Sequence, residues 1–159
     1  MINLVKSSEG FVPSSGIPIV GFGHKCIQTN CAEVTSPFPL SQATASQLFS
    51  NDAQIFISRL HKLIKPSVSL NDNQFGALTS FAFLRCGTIQ TSTLLTRLNN
   101  GEDPNTVARR EMPRFKFAGG RASGRLIRRR IAEVNLFQMS LSTGASIMLS
   151  ACRFQTSLG

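Results

Sequence analysis

The chain has no tryptophan and no tyrosine in its 159 residues, so it offers a ligand no indole N–H and no phenolic hydroxyl. Acid is scarce too: 8 Asp and Glu face 17 Lys and Arg. No apolar run approaches the roughly 18 residues that a membrane-crossing helix needs, so a spanning helix is not expected. No signal peptide precedes Lys6, no internal repeat recurs, and no linker divides the chain into two large domains. No helix-turn-helix, zinc-finger or RNP signature accompanies the basic residues, so nucleic acid is not an expected partner.

What is present is apolar and basic. Hydrophobic residues make up 42% of the chain, which fits a globular protein, and the length suits one domain. Twelve Phe supply the ring volume. The net charge of +9 draws in polyanions without naming one: acidic wall polymers, nucleic acid and acidic membranes all qualify. The cluster Arg121, Arg125, Arg128, Arg129 and Arg130 concentrates that charge, with Arg125 and Arg129 on one helical face.

Element signals run along the chain in order. Residues 2–8 read as a short helix with Leu4 and Val5 inward, ending at Gly10. Turn formers then bar a helix until Ile17, Ile19 and Val20 suggest a hairpin arm. Ser41 caps a helical stretch with Leu48, Phe49, Ile55, Phe56, Leu60, Leu63 and Ile64 on apolar faces, broken at Pro66. Asn71 or Asp72 caps a very apolar helix through Phe75, Leu78, Phe81 and Ala82, the predicted hub. Thr91 is the predicted cap of the next helix, which stops at Gly101. Asp103 and Pro104 open another that runs to about Met112. Gly124 to Phe137 forms the closing helix. Residues 140–159 are Ser/Thr-rich and expected to be poorly ordered, leaving 1–139 as the domain.

Four cysteines allow three pairings. Cys26 and Cys31 frame a short loop that suits a local disulfide in an exported protein. Zinc is the competing reading, with His24 close by. No second C-x-x-C or H-x-x-x-H supplies the remaining ligands, so no metal is expected.

The stretch S-E-G-F-V-P-S-S-G-I-P-I-V-G-F-G-H, Ser8 to His24, resembles the opening of the phage-type lysozymes. There a helix-ending E-G-F precedes a hairpin of the form Y-x-D-x-x-G-x-x-T-x-G-Y-G-H. Three further motifs follow in the family's order: N-D-N-Q-F-G-A-L-T-S-F-A-F, R-F-K-F-A-G-G and R-R-R-I-A-E-V-N-L-F. The C-x4-C loop followed by A-E-V is similar to the fungal secreted branch. The resemblance covers about residues 3–138. It implies a lysozyme-like α+β fold, in which a small, shortened β-hairpin lobe packs on a mainly α-helical lobe. It implies glycoside hydrolysis of bacterial peptidoglycan with Glu9 as acid, no cofactor, a monomer, and action outside the cell. Gly21, Phe22, Gly23, His24 and Phe115 are then the substrate-binding residues, and Cys26 and Cys31 form the disulfide. In relatives a cysteine matching Cys86 pairs with the preceding helix, where this chain has Arg59 or His61. Cys86 is therefore free or joined to Cys152, and the free state is the expectation.

Two family features are missing. The segment that carries the hairpin Asp is shorter by about five residues, and Ile19 stands where the Thr belongs. Between Glu9 and Glu33 the chain has no Asp or Glu, and no Thr before Thr29. Glu33 lies beyond the Cys26–Cys31 loop and is a poor substitute. Loss of a water-positioning group costs on the order of 10²–10⁴ in rate. The alternative function is a non-catalytic cationic protein that binds peptidoglycan on the same fold. His24 is expected as a hydrogen-bonding support behind the hairpin, and Glu9 could instead serve as an ion-pair partner of Arg129 or Arg130.

Overall fold

The structure, a computed structural model, describes residues 2–16, 18–84 and 89–140. Six helices carry it: α1 (Ile2–Glu9), α2 (Gln42–Leu63), α3 (Asp72–Leu84), α4 (Thr93–Asn99), α5 (Pro104–Glu111) and α6 (Gly124–Gln138). Two antiparallel hairpins complete it: β1 (Ile19–Val20) with β2 (His24–Lys25), and β3 (Phe117–Ala118) with β4 (Arg121–Ala122). The α+β expectation holds. Cys86, Cys152 and the segment from 141 onward lie outside the described residues.

Side-chain caps set most helix starts. Ser41 accepts the Thr44 amide at α2, and Asp103 accepts the Thr106 amide at α5, with Pro104 next to it. At α3, Asn71 and Gln74 cap each other: the Gln74 amide donates to Asn71 and the Asn71 amide to Gln74, each at 2.9 Å. Such a reciprocal pair satisfies two amides that the helix itself cannot.

The structure corrects one of the sequence expectations and adds detail to the segments that follow it. Ser92, not Thr91, caps α4: its hydroxyl takes the Leu95 amide while donating to the Ile89 carbonyl. Helix α5 ends at Glu111 and tightens into a 3-10 turn over Met112–Arg114, where Pro113 has no amide to continue the α pattern. The Phe117–Gly120 turn is a hairpin in its own right, with Ala118 paired to Arg121 across Gly119 and Gly120.

Helix α3 is the hub, as its composition predicted. Ala77, Leu78, Phe81 and Ala82 are buried and join Leu60 of α2, Leu94 and Leu98 of α4, Val107 and Ala108 of α5, Met112, and Val134 and Phe137 of α6 in one core. A second cluster under the first hairpin holds Val5, Phe49 and Ala53, with Phe22 and Phe83 against it. Val20, Cys31 and Leu40 form a third, within the small lobe. Ile55, counted above on an apolar face, is 52% exposed.

Candidate active site

Glu9 is the last residue of α1, and Gly10 ends that helix by turning to φ +78°. The carboxylate is thus carried to the edge of the helix bundle, where its side chain is 10% exposed. Beneath it runs α6. Arg129, itself buried, donates from Nη1 to Glu9 Oε1, from Nε to Glu133 Oε1 at 3.1 Å, and from Nη2 to the Ser80 carbonyl at 2.9 Å. A planar guanidinium with several fixed donors suits this three-way bridge, which a lysine could not make. Arg125, one turn earlier on α6, brings Nη2 to 3.8 Å from Glu9 Oε2. Oε1 is therefore committed to the buried Arg129, and Oε2 faces the exposed Arg125.

Glu133 completes the buried side. It accepts from Ser80 at 2.7 Å and lies 3.0 Å from Arg130 Nε. Burial pushes its carboxyl up, against the opposing pull of Arg130, the Ser80 hydroxyl and Arg129. The basic cluster read from the sequence is thereby divided. Arg129 and Arg130 belong to the core, whereas Arg121, Arg125 and Arg128 are exposed.

The first hairpin faces Glu9 from above. Val20 pairs with His24, and Gly21 exchanges backbone hydrogen bonds with Val12, N to O at 2.7 and 2.9 Å, so the segment after Glu9 forms a third edge. Gly23 sits at φ +96°, and a Cβ there would stand 3.1 Å from Glu9 Cγ and 3.1 Å from Phe83 Cε1. The hairpin can close on the carboxylate because this residue has no side chain. Gly21, at φ +61°, rests on Ala45 and Leu48 of α2. Phe22 packs beside Phe11, ring centroids 5.4 Å apart, with Lys6 Nζ 4.9 Å from its centre. Phe115 lies elsewhere, edge-on to Phe81 at 5.0 Å in the helical lobe.

His24 does support the hairpin. Its Nδ1 is 2.9 Å from Asp52 Oδ2 on α2, and its Nε2 is 3.4 Å from Glu33 Oε1. Glu33 also accepts the Ile27 and Gln28 amides. Chiefly through the Ile27 amide, and against some desolvation, its carboxyl is lowered to about 2. Cys26 and Cys31 are joined, and their loop presents those amides. Asp52 escaped the sequence reading, although it is the single acid in α2. Ser80 escaped as well.

The second carboxylate is accounted for by inventory. All 8 acids lie in described segments. Glu33 and Asp52 are engaged with His24, and Glu133 is fully buried. Asp72 opens α3, Asp103 caps α5, and Glu102 and Glu111 pair with Arg97. Ile19 is 48% exposed on β1 and carries no group that could orient a water.

Comparison with known proteins bears on the family and the fold. The phage lysozyme family profile matches residues 6–133. The endolysin of Bacillus phage PZA is 33% identical over 144 residues, 86% of this chain and 52% of that protein. The chain thus spans about half the length of the curated relatives it matches. Among solved structures, the muramidase domain of SpmX from Asticaccaulis excentricus superposes with a TM-score of 0.71 at 26% identity, covering 87% of this chain and 95% of that one. An endolysin from the Escherichia coli O157:H7 phage FAHEc1 gives 0.71 at 23% identity, over 88% and 91%. The motifs in their order, the α+β frame and the Glu–Arg pair beneath a glycine hairpin thus converge with these matches: the chain belongs to the phage lysozyme family.

Proposed function

We propose that the protein is a muramidase, a glycosidase that cleaves the glycan strands of bacterial peptidoglycan, with Glu9 as its acid. The observation that carries this reading is the placement of Glu9. One of its oxygens is held by the buried Arg129, the other lies 3.8 Å from the exposed Arg125, and Gly23 of the hairpin closes on its side chain. Oε2 is then the oxygen that delivers a proton to the leaving glycosidic oxygen. Attack on the oxocarbenium-like centre falls to a water that no second carboxylate activates. Turnover is accordingly slow, on the order of 10²–10⁴ below that of a family member with an intact hairpin. Gly21, Gly23 and His24 act by shaping the hairpin over the sugar, and Phe22 by apolar contact at its edge, whereas Phe115, packed on Phe81 in the helical lobe, has no such place beside Glu9.

Work outside the cytosol suits the Cys26–Cys31 disulfide, which an oxidising environment maintains. No described helix is long and apolar enough to cross a membrane.

The test is release of new reducing ends from purified bacterial wall, for the full chain and for Glu9→Gln. Slow release that vanishes in the variant is the expected result. Equal release from both would overturn the assignment of Glu9. A second reading, a cationic wall-binding protein without turnover, is favoured by one observation, the engagement of Glu33 and Asp52 with His24. It predicts that both proteins sediment with wall and that neither releases reducing ends.

A further inference from the structure

The loop that follows the hairpin brings together more chemistry than hydrolysis uses. The ligating atoms of His24, Cys31 and Glu33 all lie within 4.8 Å of one another. Cys26 Sγ, bonded to Cys31, is not among those atoms, and reduction of the bond would free it to swing toward them. Sequence spacing alone counted two sulfurs and one imidazole. The fold adds Glu33 as the fourth ligand, from two residues past the loop. We propose that when the Cys26–Cys31 bond is reduced, these four side chains form a tetrahedral zinc site, so that the loop is held by a disulfide in one redox state and by a metal ion in the other.

Three features beyond proximity support this inference. First, Asp52 accepts from His24 Nδ1 at 2.9 Å. A carboxylate behind the ring is the usual outer partner of a metal-bound histidine, because it fixes the tautomer that leaves Nε2 as the ligand. Second, Nε2 stands 3.4 Å from Glu33 Oε1, long for a hydrogen bond, and in the neutral ring it turns a lone pair on a carboxylate. A cation between them removes that mismatch. Third, the Ile27 and Gln28 amides hold the Glu33 carboxylate in place beside the ring. Zinc bonds of ~2.0–2.3 Å at tetrahedral angles put ligand atoms ~3.3–3.8 Å apart. His24, Cys31 and Glu33 need to close by about 1 Å, and the two sulfurs, once the bond between them is reduced, need to part to the same spacing.

The chemistry balances simply. A dithiol reductant gives two electrons and two protons to the S–S bond and becomes a disulfide itself. The two new thiols each lose a proton to solvent as a zinc–sulfur bond forms. Protons and metal compete for the same gap, so affinity falls as the medium is acidified.

The test uses the full chain, reduced with a water-soluble phosphine, and cobalt(II) as the probe. The reduced protein is expected to take up one ion per chain, with a thiolate-to-cobalt charge-transfer band and the visible bands of a tetrahedral site. Zinc should displace it and raise the melting temperature of the reduced protein, while the oxidised protein shows neither effect. Reduced Glu33→Gln should bind at least ten-fold more weakly, and Cys31→Ser should lose much of the charge-transfer intensity. Because Cys86 and Cys152 are also thiols in the reduced chain, the measurement is repeated with both changed to Ser, which should leave the bands intact. The proposal is overturned if the reduced wild-type chain takes up no cobalt, or if Cys31→Ser and Glu33→Gln bind as tightly as wild type. It is also overturned if oxidised and reduced chains respond alike. Should reduction unfold the protein, zinc is expected to refold it, and failure to do so refutes the site.

Discussion

Replacing Gly23 by Ala tests the packing of hairpin on carboxylate directly. At φ +96° an L side chain is strained by about 1–2 kcal/mol before it touches anything. The new methyl would then stand 3.1 Å from both Glu9 Cγ and Phe83 Cε1. Overpacking of this kind adds about 1–3 kcal/mol. Gly101 is the control: its φ of +80° carries similar strain, but nothing lies within 4 Å of its Cβ position. Urea unfolding should therefore place Gly23→Ala below Gly101→Ala by about 1–3 kcal/mol, and wall hydrolysis should fall only in the former. Truncating Glu9 to Ala relieves one of the two contacts, so the pair Glu9→Ala and Gly23→Ala should show a coupling of about 0.5–1.5 kcal/mol. If the two glycine variants unfold within about 0.5 kcal/mol of each other, the close approach described here is wrong.

Other outcomes follow from the same structure. Arg129→Met strips the buried bridge among Glu9, Glu133 and Ser80 and leaves Glu133 short of a partner; unfolding should cost about 3–5 kcal/mol by urea titration. Asn71→Ala breaks the reciprocal cap of α3 and should cost about 1 kcal/mol in the same assay. For Glu33 the folded carboxyl, at about 2, lies below its ordinary 4.5, so the unfolded chain binds the extra proton first. Its stabilising contribution is complete above about 4.5 and is lost as the pH falls toward about 2. Glu33→Gln should flatten the fall in urea midpoint across that window and leave the slope unchanged if the pairing is absent.

The helical lobe was readable because its signals are local. Ser41, Asp103 with Pro104, and the Asn71–Gln74 pair mark helix starts within four residues of sequence, and the apolar run of α3 announces its burial. Sequence places the α4 cap one residue early because Thr91 and Ser92 carry the same hydroxyl chemistry, and only the backbone path decides that the Ser92 side chain reaches the Leu95 amide. The second hairpin is too short for alternation to register. The E-G-F motif singles out Glu9, and the ion pair with Arg129 expected as its alternative role is present beside it. The network around His24 was not legible, since Asp52 comes from a helix 28 positions away and nothing near it in sequence marks it as a partner. Charge counting likewise could not tell that Arg129 and Arg130 are interior groups while Arg121, Arg125 and Arg128 are not.

The bridge from Arg129 to Glu9 spans 120 positions of chain. A ribosome adding about 5–20 residues per second makes the carboxylate first and the residue that fixes its orientation about 6–24 s later. Throughout that interval the nascent chain carries its acid without the geometry that orients it. Any product that stops short of α6 should therefore be inert towards wall, however well its N-terminal half is preserved.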